Sequence, residues 1–122
     1  MTIIQRQDII SGIFSQVKDM AISKGKDYSS KEDSLANFKR NAERLGLTKY
    51  QVWLVYFNKH IDAINNSIRY NPDAPEVSSE PLEERIIDAI TYLTLFKCLL
   101  EEDKTSTGVL ILNIEGNEGS KD

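Results

Sequence analysis

The sequence predicts an all-α protein, a four-helix antiparallel bundle followed by a short extended C-terminal arm. Three observations predict it. Apolar residues recur at three- and four-residue spacing in four separate stretches, the period of a helix with one buried face. Gly25, Gly46 and the Asn71-Pro72 pair fall where the first three patterns end. The connections are short, so consecutive helices double back on one another.

The first helix is expected over 3–24. Ile3, Ile10, Ile13, Phe14, Val17, Met20 and Ala21 form its stripe, and Gly25 stops it. Gly12 lies inside this pattern at a cost of roughly 1 kcal/mol relative to Ala, which a close approach by a neighbouring helix would repay. A polar connection follows over 25–33. The second helix is expected over 31–45, with Leu35, Phe38, Ala42 and Leu45 on its inner face and Gly46 at its end.

The third helix has the clearest start. Thr48-Lys49-Tyr50-Gln51 has the form of a capping box, in which the Thr hydroxyl and the Gln amide satisfy each other's backbone N–H groups. Val52, Val55, Tyr56, Ile61, Ala63, Ile64 and Ile68 carry the pattern to about Tyr70, and Trp53 and Phe57 widen it. So broad an apolar surface belongs at the bundle centre or at a subunit contact. After a proline-containing loop over 71–79, the fourth helix is expected from Ser79 or Glu80 to about Glu102. Pro81 sits in its first turn, where a missing N–H costs nothing. Leu82, Ile86, Ala89, Ile90, Leu93, Phe96 and Leu100 give it an apolar face.

Residues 1–103 form the predicted bundle domain and 104–122 the arm and tail. Thr105 to Gly108 reads as a hinge, 109–114 as a short β-prone apolar run, and 115–122 as a disordered tail.

Composition narrows the function classes. A hydrophobic content of 40% supports a core, and no apolar run reaches the ~20 residues that cross a bilayer. The N-terminus lacks a basic segment followed by an apolar one, so no signal peptide is expected and a cytoplasmic location is. Cys98, the single cysteine, reads as a buried core thiol. Residues 1–71 carry a net +4 and residues 72–122 a net −8. That split argues against a nucleic-acid binder, whose basic excess would dominate.

Four places could converge into a site. They are Lys24-Gly25-Lys26-Asp27-Tyr28, Asn37, Asn58-Lys59-His60 with Asp62, and the acidic series Glu80, Glu84 and Asp88. The acids recur every four residues and drift by only about 40° per step, so they share one helix stripe. Carboxylates facing a bundle interior suit Mg²⁺, and nearby lysines suit a polyphosphate. Tyr28 or Trp53 could stack on a base.

The order Lys24-Gly25-Lys26-Asp27-Tyr28, Leu35-Ala36-Asn37-Phe38, Val52-Trp53, Lys59-His60, Ser79-Glu80-Pro81, Glu84, Asp88 and Tyr92 resembles small phage-type nucleotide-modification-associated domains. These are similar in helical plan to the all-α nucleoside triphosphate pyrophosphatases of the MazG and dimeric dUTPase group. The resemblance covers about residues 10–102. It implies a nucleotide-binding homo-oligomer. It also implies Mg²⁺-dependent cleavage of a nucleotide to monophosphate and pyrophosphate, with Glu84 and Asp88 catalytic and Glu80, Glu84 and Asp88 on the metal. Lys24, Lys26, Asp27, Tyr28, Asn37, Lys59, His60 and Tyr92 would contact the ligand.

The chain departs from the enzymes in its carboxylates. They use Glu-x-x-Glu on one helix and Glu-x-x-Asp on a later one. Here Glu80-x-x-Glu83 and Glu84-x-x-x-Asp88 crowd onto a single helix, and the earlier part of the chain offers isolated acids, Asp27, Asp33 and Asp62 among them. Two other readings stand beside hydrolysis: a non-catalytic binder that sequesters a nucleotide, and a helical protein–protein adaptor.

Overall fold

The computed structural model describes residues 1–28, 33–76 and 81–106, with the backbone alone for 24–28 and 105–106. It is an all-α helical bundle of α1 (Ile3–Tyr28), α2 (Ala36–Leu45), α3 (Lys49–Tyr70) and α4 (Leu82–Ser106), with no strand among the described residues. The apolar run 109–114 lies outside them.

The antiparallel pair α3/α4 is the centre. Helix α2 packs on α3, and α1 packs on α4. The core joins Leu35, Phe38 and Ala42 to Val52 and Trp53 of α3 and Leu99 of α4, with Leu99 fully enclosed. Trp53 is the keystone. Its ring stacks on Phe57 at 4.7 Å between centroids and meets Phe96 at 4.6 Å. Its Nε1–H donates to the Tyr92 carbonyl at 2.6 Å, which fixes the height of α4 against α3.

The capping box of α3 is as expected. Thr48 Oγ1 accepts from the Gln51 N–H, and the Gln51 side chain accepts from the Thr48 N–H at 2.8 Å. Gly46 ends α2 at φ 68°, a left-handed conformation that a Cβ would disfavour. A second reciprocal cap, unforeseen, opens α1: Thr2 N–H donates to Gln5 Oε1 at 2.8 Å and Gln5 N–H to Thr2 Oγ1 at 3.1 Å.

Several expectations are corrected. Helix α1 runs through Gly25 to Tyr28. One glycine costs about 1 kcal/mol, and the flanking lysines are good helix formers. Helix α2 begins at Ala36 because the Asp33 carboxylate accepts the Leu35 N–H at 3.0 Å in a local turn. Helix α4 outlasts Glu102 by a turn.

The faces also differ. Of the α1 stripe only Val17 is buried; Ile3, Ile10 and Phe14 are exposed. Nothing lies within 4 Å of a Cβ built at Gly12, so no close approach explains it. On α4 the buried residues are Ile87, Asp88, Ala89, Thr91 and Leu99, while Ile86, Leu93 and Leu100 stay open. Cys98 is exposed, because Leu95, Phe96 and Leu99 carry the core face of that turn.

Candidate functional site

The α3–α4 contact contains a polar cluster in an otherwise apolar seam. Arg85, Asp88 and Tyr92 stand at i, i+3 and i+7 on α4 and so share one side of the helix. The α3 residue at that height is His60. His60 and Asp88 are 6% and 8% exposed, the burial expected of side chains that have partners.

His60 Nδ1 lies 3.7 Å from Asp88 Oδ2 and 3.3 Å from Arg85 Nη1. Both contacts fall on the one ring nitrogen, so His60 stands between Arg85 and Asp88 in the seam. The Tyr92 ring sits 5.2 Å from the imidazole, tilted by 34°. The hydroxyls next to the cluster are satisfied within their own helices. Thr91 Oγ1 donates to the Ile87 carbonyl at 2.8 Å and Ser67 Oγ to the Ile64 carbonyl at 2.7 Å.

Three of the residues expected in the site, His60, Asp88 and Tyr92, therefore come together. The others do not. Glu84 is exposed, although it shares the stripe of Asp88. Lys59 is exposed as well, because one residue along α3 turns it about 100° from His60. Asn37 is half-buried and accepts from Asn41 Nδ2 at 3.1 Å, which answers its need for a partner within α2. The side chains of Lys24, Lys26, Asp27 and Tyr28, and all of Glu80, lie outside the described residues.

Among the described residues no three His, Cys, Asp or Glu side chains gather closely enough to hold a metal ion. Asp88 lies against His60 while Glu84 is exposed, and Glu80, the third acid of the expected set, lies outside the described residues. Arg85 is not among the residues expected from the sequence, although its spacing from Asp88 and Tyr92 places it on their side of α4.

A second polar network closes the opposite end of the α3/α4 pair. Lys39 Nζ contacts Asp33 at 2.9 Å and Glu102 at 2.8 Å, and Lys49 Nζ contacts Asp103 at 2.5 Å. Tyr50 donates its hydroxyl to Asp103. That hydrogen bond, then desolvation, pushes the Tyr50 hydroxyl up to about 12. Lys39 holds Asp33 below the usual carboxylate range, and Glu102 and Asp33 raise Lys39 in turn. These half-exposed groups tie α2, α3 and α4 together and leave little charge for a ligand.

A surface cleft of about 340 Å³ is lined by Pro75, Glu76, Pro81, Leu82, Glu83 and Ile86. The two carboxylates, with no cationic side chain among the described lining, do not suit phosphate.

Comparison of the chain with protein-family models, curated proteins and solved structures finds no match. No helix among the described residues is long and apolar enough to cross a membrane.

Proposed function

We propose that the chain binds a nucleotide or nucleotide-derived anion as a homo-oligomer, at a site built on His60, Arg85, Asp88 and Tyr92. The carrying observation is the buried cluster itself. An imidazole, a guanidinium, a carboxylate and a phenol ring meet in a seam that apolar side chains could have filled. Arg85 supplies the planar donor array that suits phosphate, and Tyr92 an aromatic ring 5.2 Å from the imidazole. Lys24, Lys26, Asp27, Tyr28, Asn37 and Lys59 belong to the same proposal as the outer ring of ligand contacts.

The sequestering form of this reading is favoured over the hydrolytic one. Asp88 is buried against His60, and Glu84 is exposed. In the hydrolytic form Glu80, Glu84 and Asp88 would hold Mg²⁺, which would supply charge neutralisation at the phosphate oxygens.

Titration calorimetry with a panel of linear and cyclic nucleotides, with and without Mg²⁺, tests the proposal. Binding is expected for at least one nucleotide, weakened at least about 30-fold in Arg85→Ala, a loss in keeping with a charge-assisted contact. If no nucleotide gives heat, the binding reading fails and the adaptor reading replaces it. Pyrophosphate release from a bound nucleotide in Mg²⁺ would select the hydrolytic form.

A further inference from the structure

The α3/α4 pair leaves one side open. On α3, Leu54, Ile61 and Ile68 recur every seven residues; on α4, Ile86, Leu93 and Leu100 do the same. The contacts Trp53–Phe96 and His60–Asp88 set an antiparallel register that brings Leu54 level with Leu93. Leu54 follows Trp53 and Leu93 follows Tyr92, so each row is turned about 100° in the same sense from the seam between the helices. In an antiparallel pair that puts both rows on one side. Val52 and Thr91, which precede Trp53 and Tyr92, are turned the other way and are buried. Leu54, Ile68 and Leu93 stay half exposed.

The six side chains offer on the order of 450 Å² of apolar surface, well short of the ~800 Å² that each partner contributes to a stable protein interface. A short segment is a better match to that size than a partner protein. The chain has such a segment outside the described residues: 109–114, Val-Leu-Ile-Leu-Asn-Ile.

We propose that residues 109–114 lie extended along this face of their own chain, over Leu100, Leu93 and Leu54. The place where α4 ends favours it. Ser106 closes α4 beside the start of α3, since Lys49 meets Asp103 and the Tyr50 hydroxyl meets the Leu99 carbonyl. The rows run from that end. Leu100 is about 9 Å back along the helix at ~1.5 Å per residue. The three steps from Ser106 to Val109 span up to about 10 Å, and Gly108 among them can take the backbone angles a reversal needs. The run itself spans about 17 Å when extended, which carries it past Leu93, about 10 Å beyond Leu100. Charge agrees: neither residues 105–114 nor the six residues of the rows include an ionisable side chain. Alternation along an extended segment puts Leu110, Leu112 and Ile114 on one side and Asn113 on the other, so the wholly apolar side meets the helices. The inference is independent of any nucleotide, and its test uses none.

Disulfide trapping in the full chain tests it. In a Cys98→Ser background, Leu93→Cys with Leu112→Cys is expected to close within one chain, so that the oxidised protein keeps the 13.9 kDa chain mass on a denaturing gel. Leu112→Cys alone offers the native Cys98, which is exposed but stands about 160° round α4 from Leu100. That pair should close at least about 10-fold more slowly, because its effective concentration is lower. Leu112→Asp should lower the thermal midpoint by about 5 °C and Asn113→Asp by less than about 1 °C. Cross-links that form only between two chains overturn the inference and give the face to a second copy. Closure on Cys98 as fast as on Leu93→Cys overturns it too, as does a Leu112→Asp midpoint equal to that of the wild type.

Discussion

His60 and Asp88, one from each of two antiparallel helices, bring Nδ1 and Oδ2 to 3.7 Å with the side chains only 8% and 12% open to solvent. Arg85 Nη1 reaches the same imidazole nitrogen, so the three groups depend on one another. Removing one partner of a buried charged cluster leaves another without compensation. Asp88→Ala is therefore expected to lower the unfolding free energy by about 3 kcal/mol, and Asp88→Asn, which keeps volume and a carbonyl, by about half as much. Urea unfolding followed by Trp53 fluorescence measures both. A loss under about 0.5 kcal/mol for Asp88→Ala would class the cluster as an energetically neutral surface feature.

The polar network at the other end sets a pH window. The Asp33 carboxyl is held below its usual 3.8, chiefly by the Lys39 hydrogen bond, and Asp103 is held down by Lys49 and then Tyr50. A depressed carboxylate stabilises the fold above its unfolded value and loses that contribution as pH falls towards its folded one. Tyr50, raised from 10.0 to about 12, stabilises the fold below 10 and loses its contribution between 10 and 12. Stability should be flat between these limits as far as this network is concerned. Tyr50→Phe should abolish the alkaline component, and near-ultraviolet tyrosinate absorbance should show one late-titrating tyrosine that the variant lacks.

Thr48 and Gln51 cap α3 reciprocally. Thr48→Ala should cost about 1 kcal/mol in thermal or urea unfolding, and Thr48→Ser close to nothing, because the hydroxyl alone makes the contact.

Cys98 is exposed on α4. A thiol reagent should label it in the native protein at a rate close to that in the unfolded chain. Protection by more than about 100-fold would mean that the turn is covered by something the bundle itself does not provide.

Much of this fold can be read in the chain because its signals are local. The capping box at Thr48, the stop at Gly46 and the Asn71-Pro72 break depend on neighbouring residues alone. The order and type of all four helices follow. Which side of each helix turns inward depends on distant partners, and there periodicity misleads. On α4, Ile86, Leu93 and Leu100 make a regular apolar row, yet Ile87, Thr91 and Leu99 are the residues enclosed. Thr91 succeeds there because its hydroxyl finds the Ile87 carbonyl, a contact that composition does not disclose. The site divides the same way. His60, Asp88 and Tyr92 were visible as sequence neighbours of a motif; that Glu84 faces water while Asp88 faces α3 depends on how α4 is rotated against its partner.

The core that holds Trp53 draws on α2, α3 and α4, and no described side chain of α1 belongs to it. Val17 is the single residue of α1 that the rest of the described chain closes over, among those whose side chains are described. A helix of 26 residues so lightly anchored can separate from α4 at far less cost than unfolding the remainder. The molecule thus has two levels of cooperativity. Amide hydrogens of α3 should exchange only on global opening, and those of α1 through its own detachment, orders of magnitude sooner.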